Sequence, residues 1–189
     1  VTVYSSIDAH GRYAYDNQAR VIVWNMAQLA TALVPLMPDT DAAISQFTDA
    51  INAMPALIEA ERLAAFRPKP GLTGGDPADA ALIEEPLALM QAGQADFTNT
   101  FRALAQGRAR DQVTDRAAFD QWQARWQERL QQEDGAEARM LSANPAYIPR
   151  NHRVEEMIQA AVAGDMAPFE RLLGVLSDPF TDQPGQKDL

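Results

Sequence analysis

The chain has 189 residues, 47% of them apolar, and 16 Lys and Arg stand against 26 Asp and Glu for a formal net charge of −10. That is the composition of a globular domain of ordinary size, and its acidity excludes the basic footprint that nucleic acid or an anionic membrane would attract. Cysteine is absent, which rules out disulfides and thiolate chemistry; no apolar run approaches the roughly 18 residues of a membrane span, no signal-peptide layout opens the chain, and a cytoplasmic location is expected.

In chain order, "VTVY" at the start alternates but is too short to define a strand. Ile22, Met26, Leu29, Leu33 and Leu36 follow a spacing of 4-3-4-3, one continuous stripe on a helix, with Asp16 or Asn17 as its cap and Pro38-Asp39 as its stop. Ile44, Phe47, Ile51, Met54 and Ile58 repeat the pattern behind Thr40 or Asp41. Pro55 lies inside that stripe and predicts a kink or a break, because it lacks an N–H and crowds the preceding turn. The stretch "FRPKPGLTGGDP" (Phe66 to Pro77) reads as a loop, a subdomain boundary or a flexible lid.

Asp76 and Pro77 then stand as cap and first helical residue of a helix bearing Leu82, Ile83, Leu87 and Met90, with Pro86 inside it. Asp96 caps a short helix whose face is Phe97, Phe101 and Leu104. Thr114 or Asp115 caps the next, which buries Phe119, Trp122, Trp126 and Leu130. After the turn "NPAYIP" (Asn144 to Pro149), Val154, Met157, Ile158 and Ala161 form another face, which Gly164 ends. Asp165 caps the last helix, with Phe169, Leu172, Leu173 and Leu176 inward. The expectation is all-α: an irregular bundle of about seven or eight helices in a single domain over 1–180, with 181–189 a frayed polar tail.

Chemistry is sparse. His152, Glu155 and Glu156 share a helical face and have the residue types to hold a divalent cation, but no second His-bearing helix completes a site, and the same spacing is common on solvated faces. His10 sits in the opening turn and reads as a local or solvent contact. Glu84-Glu85 and Glu59/Glu61 are carboxylate pairs on one helix each, whereas glycosidase-type work needs carboxyls in different environments across a cleft. Trp122 and Trp126 have core spacing. Gly74-Gly75 lacks the Lys of a phosphate loop. No catalytic, cofactor-binding or metal residue is assigned.

The string "DAHGRYAYDNQ" (Asp8 to Gln18), followed by "VWNMAQLATALVPL" (Val23 to Leu36), resembles the selenoprotein O family, also known as the YdiU family. Three later stretches agree in order: "LIEEPLALMQAGQADFTNTFRAL" (Leu82 to Leu104), "FDQWQARWQERL" (Phe119 to Leu130) and the run from Met140 to Phe180 that contains "NPAYIPRN". The resemblance implies a protein-kinase-like fold used for adenylyl transfer, in which AMP moves from ATP to Ser, Thr or Tyr hydroxyls of proteins. It places the residues for ATP and for Mg²⁺ or Mn²⁺ upstream of Gly11-Arg12-Tyr13, outside this chain. The chain is accordingly expected to be the C-terminal part of the kinase-like C-lobe plus the family's extra helices, inactive alone and holding no cofactor. Its expected partners are the missing N-terminal lobe and the protein substrates of the whole enzyme, or a second copy covering the same N-terminal face. The alternative is a free-standing helical interaction module.

Ala19 and Pro86 depart from the family pattern, which has Pro and Leu there. A redox bridge that some members carry has no counterpart in a chain without Cys. Arg12 is expected to brace the opening turn through a fork-like hydrogen bond more than to touch substrate.

Overall fold

The computed structural model describes Val3 and residues 7–186; the rest of "VTVY" and the last three residues of the 181–189 tail lie outside the described residues. Among the described residues there are eight α-helices: α1 (Gln18–Leu33), α2 (Thr40–Phe66), α3 (Asp79–Gly93), α4 (Phe97–Ala105), α5 (Arg116–Leu130), α6 (Ala136–Ala143), α7 (Asn151–Val162) and α8 (Ala167–Leu176). No strand occurs among the described residues, so the class is all-α. The chain divides into two compact units, Val1–Leu63 and Ala64–Leu189.

In the first unit the start of α1 and the second half of α2 face one cavity, lined by Ala19, Arg20 and Val23 of α1 and by Pro55, Ile58 and Arg62 of α2. Asp39 caps α2 by accepting the Ala42 N–H at 3.0 Å, ahead of the Thr40 or Asp41 expected. Asn17 precedes α1 but makes no side-chain cap bond. The stripe of α1 passes at Leu33 into a 3-10 turn, Val34–Leu36, because Pro35 has no N–H to continue the ladder. Helix α2 runs through Pro55 without a break over 27 residues: one lost bond is tolerated where Ala-rich turns flank it.

The stripe of α1 does not form a core. Ile22, Leu29, Leu33 and Leu36 are exposed, Leu36 to 77%, as are Trp24, Tyr13 and Tyr15. By length and composition the segment Tyr15–Leu36 contains an 18-residue window, of mean hydropathy 1.3, that is long and apolar enough to cross a membrane, where the sequence reading found no run that approaches it.

The second unit has its own core: Leu72, Leu82, Met90, Phe101, Leu104, Phe119, Trp122, Trp126 and Met140 pack together. Trp122 and Trp126 stack at 5.4 Å, and each indole N–H finds a carbonyl, Leu82 at 3.1 Å and Pro70 at 2.8 Å, as a buried Trp requires. Asp96 and Asp115 cap α4 and α5 through the N–H groups of Asn99 and Ala118. Asp76 accepts the Ala78 N–H at 2.8 Å, and α3 starts only at Asp79. Helix α6 has no counterpart in the sequence reading, because it is short and offers a single fully buried apolar residue, Met140. In α8 the buried residues are Leu172 and Val175, while Phe169 and Leu173 are exposed; Ile158 and Val162 of α7 are exposed too.

The Pro/Gly-rich stretch from 66 to 77 is drawn into this core. Pro70, Gly71 and Leu72 are buried. Gly71 has φ +84°, and a Cβ there would meet the Ala136 carbonyl and the Met140 side chain at 3.1 Å, so only glycine allows this approach. Arg129 joins the stretch to α5: its guanidinium bonds Asp79 at 2.9 Å and Glu133 at 2.9 Å, and Glu133 accepts from the N–H and hydroxyl of Thr73.

Asp79 is 1% exposed, and removing one member of a buried pair strands the other. Asp79→Ala is expected to cost about 3 kcal/mol in urea unfolding, the low end of the range for a broken buried pair because Glu133 still holds Arg129. A midpoint within experimental error of wild type would show that the network does not order this stretch.

Candidate functional site

In the first unit the opening string folds as a tight turn. The Asp8 carboxylate accepts the N–H groups of Arg12 and Tyr13, both at 2.8 Å, and Gly11 takes φ +64°, a conformation that glycine adopts without strain. The Asn17 amide donates to the carbonyls of Arg12 at 2.8 Å and Gly11 at 3.3 Å, so the turn is braced on the start of α1. The Arg12 guanidinium lies over the Trp24 ring, 4.6 Å from its centroid. In place of the fork-like hydrogen bond expected of its guanidinium, Arg12 takes part in the turn through its backbone N–H and a cation–π contact. A wide cavity of about 1060 Å³ opens here, with Asp8, His10, Arg12, Tyr13, Arg20 and Trp24 on its walls.

In the second unit two of the singled-out strings meet. Asp96, at the N-cap of α4, receives the guanidinium of Arg150, which also donates to Asn99 at 3.2 Å. Burial opposes the charge of Asp96, but the Arg150 bond and the N–H groups of Asn99 and Thr98 outweigh it and hold the carboxyl below its usual range. One turn on, Arg102 donates to the carbonyls of Leu141 at 3.2 Å and Asn144 at 3.1 Å and reaches Asp182 at 3.0 Å. Asn144, 1% exposed, donates to the carbonyls of Lys69 and Met140. Lys69 donates to the Ala143 carbonyl at 3.2 Å above the rings of Phe97 and Phe101, and burial lowers its pKa. A cleft of about 530 Å³ lies beside these groups, with Arg102, Arg108, Tyr147, Arg150, His152 and Asp182 among its lining.

The metal triple suggested by sequence does not assemble. Glu156 pairs with Arg153 at 2.8 Å, and Glu155 accepts from Gln159 at 2.7 Å, while His152 lines the cleft. No group of three or more His, Asp or Glu is arranged for a metal ion among the described residues. Glu85 is engaged by Arg125 and Glu59 by Arg62, and Trp122 and Trp126 are core. Sequence reasoning had not assigned Arg102, Arg108 or Arg150 any chemistry. The available signal was the Asp96-to-Arg102 spacing, which puts an Arg two turns after a cap, together with a second Arg six residues after Asn144.

The sequence profile of the family described as "Protein adenylyltransferase SelO" matches residues 2–177. Among relatives named "Protein nucleotidyltransferase YdiU", that of Ruegeria pomeroyi is 53% identical over 188 residues, covering 100% of this chain and 40% of the relative. That of Roseobacter denitrificans is 57% identical over 179 residues, covering 95% and 38%, and that of Jannaschia sp. is 48% identical over 194 residues, covering 99% and 40%. The chain spans about two fifths of the length of these relatives.

Because the folded pKa of Asp96 lies below its reference value of 3.8, its pairing stabilises the fold above about pH 4, and that contribution disappears as pH falls through the lowered value. Between about pH 5 and about pH 3 the denaturant midpoint of wild type should therefore fall more steeply than that of Asp96→Asn, which keeps the helix cap but not the charge. Glu133, also held low chiefly against burial by Thr73 and Arg129, supplies a residual acid dependence in both. Parallel pH curves for the two proteins would remove Asp96 from the account.

Proposed function

This chain belongs to the protein adenylyltransferase SelO family, and we propose that it is the C-terminal helical part of such an enzyme, serving as a platform and not as the site of nucleotide chemistry. The observation that carries the reading is the exposed stripe of α1: Ile22, Leu29, Leu33 and Leu36 stand uncovered in this chain, and Trp24, on the other side of the helix, is exposed as well. A contiguous apolar face of this kind marks a surface that another polypeptide covers. In the proposal the cover is the remaining polypeptide that relatives of more than twice this length possess. That polypeptide is a kinase-like lobe carrying the ATP and Mg²⁺ or Mn²⁺ ligands, and the whole enzyme transfers AMP to protein hydroxyls.

The residues described here do not fit a nucleotide–metal site. Carboxylates that could serve such a site are engaged by Arg side chains, as in Asp96 with Arg150 and Glu85 with Arg125. Triphosphate chemistry needs convergent cations and metal ligands, so no step of the transfer is assigned to these residues. Their part is to order the Asp8–Tyr15 turn on α1 and to present it to the rest of the enzyme.

Trp24 reports on this directly, being 51% exposed while Trp122 and Trp126 are buried. In the chain alone, acrylamide should quench a fluorescence component that Trp24→Phe abolishes; in the longer polypeptide with the upstream lobe, that component should be protected. With labelled ATP and Mg²⁺, the chain alone should label no protein and the longer polypeptide should transfer AMP. Labelling by the chain alone would overturn the platform reading. Equal quenching of Trp24 in both forms would favour a free-standing interaction module.

A further inference from the structure

We propose that the cleft beside α4 is an anion site, built by Arg102, Arg108 and Arg150, that takes an oxyanion of the phosphate class in exchange with the chain's own Asp182 carboxylate.

In a chain of net charge −10, three guanidiniums line one cleft of about 530 Å³, together with His152 and the carboxylates of Asp182 and of Asp111, the latter 3.8 Å from Arg116. The guanidiniums come from three places: Arg102 from α4, Arg108 from the turn after α4, and Arg150 from the residue preceding α7. Their pairing is unequal. Arg150 is neutralised by Asp96 and forms the fixed wall. Arg102 has a side chain only 10% exposed, yet it spends one nitrogen on two uncharged carbonyls and meets negative charge at Asp182, whose side chain is 65% exposed. Its Nε is buried with no hydrogen-bond partner. Arg108 is exposed and donates to the neutral amide of Gln106.

A buried cation balanced by a mostly solvated carboxylate is under-compensated, and that carboxylate is the easiest partner to displace. Asp182 lies on the segment that follows α8. This segment is laid along the cleft by the Tyr147 hydroxyl, which exchanges hydrogen bonds with the backbone of Gln183 at 3.1 Å. The anchor is at Gln183 and not at Asp182, so the carboxylate can swing out while the segment stays bonded. A doubly charged oxyanion matches two incompletely paired guanidiniums better than one carboxylate does, and the guanidinium fork suits phosphate geometry. The volume exceeds that of a bare oxyanion and lies in the range of small-molecule sites, which leaves space for the organic part of a phosphomonoester.

The test uses calorimetry on the 189-residue chain with two probes, inorganic phosphate and O-phosphoserine, and two exposed-residue variants that leave the core untouched. Wild type should bind at least one probe. Asp182→Asn should bind it about 3- to 10-fold more tightly, and Arg108→Ala should bind it at least about 10-fold more weakly. Amide shifts on titration should centre on residues 102–108 and 146–152. Equal affinity for both probes would make the free oxyanion the ligand, and tighter binding of O-phosphoserine would make it a phosphomonoester. Absence of binding to wild type and to Asp182→Asn, or binding that neither variant alters, would overturn the proposal.

Discussion

The second unit depends on Arg129 being held between Asp79 and Glu133. These two carboxylates sit at the start of α3 and just past the end of α5, and the guanidinium between them fixes one helix against the other. Glu133 then extends the arrangement to the Thr73 backbone and, through Arg139, to α6. A buried ion group of this kind contributes little net stability relative to an apolar replacement. Its consequence is positional: with every acceptor of Glu133 and Asp79 committed, a stretch rich in Pro and Gly has one register in which its polar groups are satisfied. The Trp126 indole bond to Pro70 and the close approach at Gly71 fit only that register.

The first unit has no equivalent. Its buried residues among those described are Ala14, Val21 and Ala43, small side chains that let a turn and two helices touch but bury little apolar area. Two helices with so small a core are not an independent hydrophobic domain. The Asp8 turn is well bonded locally, so the unit has a defined shape without a defined interior. That combination, ordered backbone and uncovered apolar stripe, is what the proposal of a covering polypeptide rests on.

How much of this was legible in the sequence follows from the same contrast. Periodicity located seven of the eight helices, because their apolar spacing is regular, and the caps at Asp96 and Asp115 were readable from residue type alone. Helix α6 was not, since its single buried apolar residue, Met140, gives no period. Periodicity also named the stripe of α1 correctly as a stripe, but it carries no information about what faces it, and the exposure of Leu29 and Leu36 is legible only in the structure. At Pro55 the sequence left a kink or a break open, and the break does not occur, because the flanking turns carry the helix on over 27 residues. At the cleft the Asp96 cap was legible, whereas the meeting of Arg102 and Arg150 depends on long-range contacts across about 40 to 55 residues that no local pattern encodes.

The acidic balance of the chain says little until the pairs are placed. Most surface cations here meet a carboxylate nearby, such as Arg62 with Glu59, Arg110 with Asp120 and Arg153 with Glu156, and such exposed pairs contribute little to stability. What distinguishes the α4 cleft is Arg102, a cation committed to structure before it is committed to charge. Arg102 closes the α6–α7 connection through backbone carbonyls, which hold the guanidinium in place but leave its charge unmatched. Structural fixation of a cation by neutral acceptors is how a protein keeps a positive centre pre-positioned without cancelling it, and here it leaves to a single exposed carboxylate the role of counter-ion.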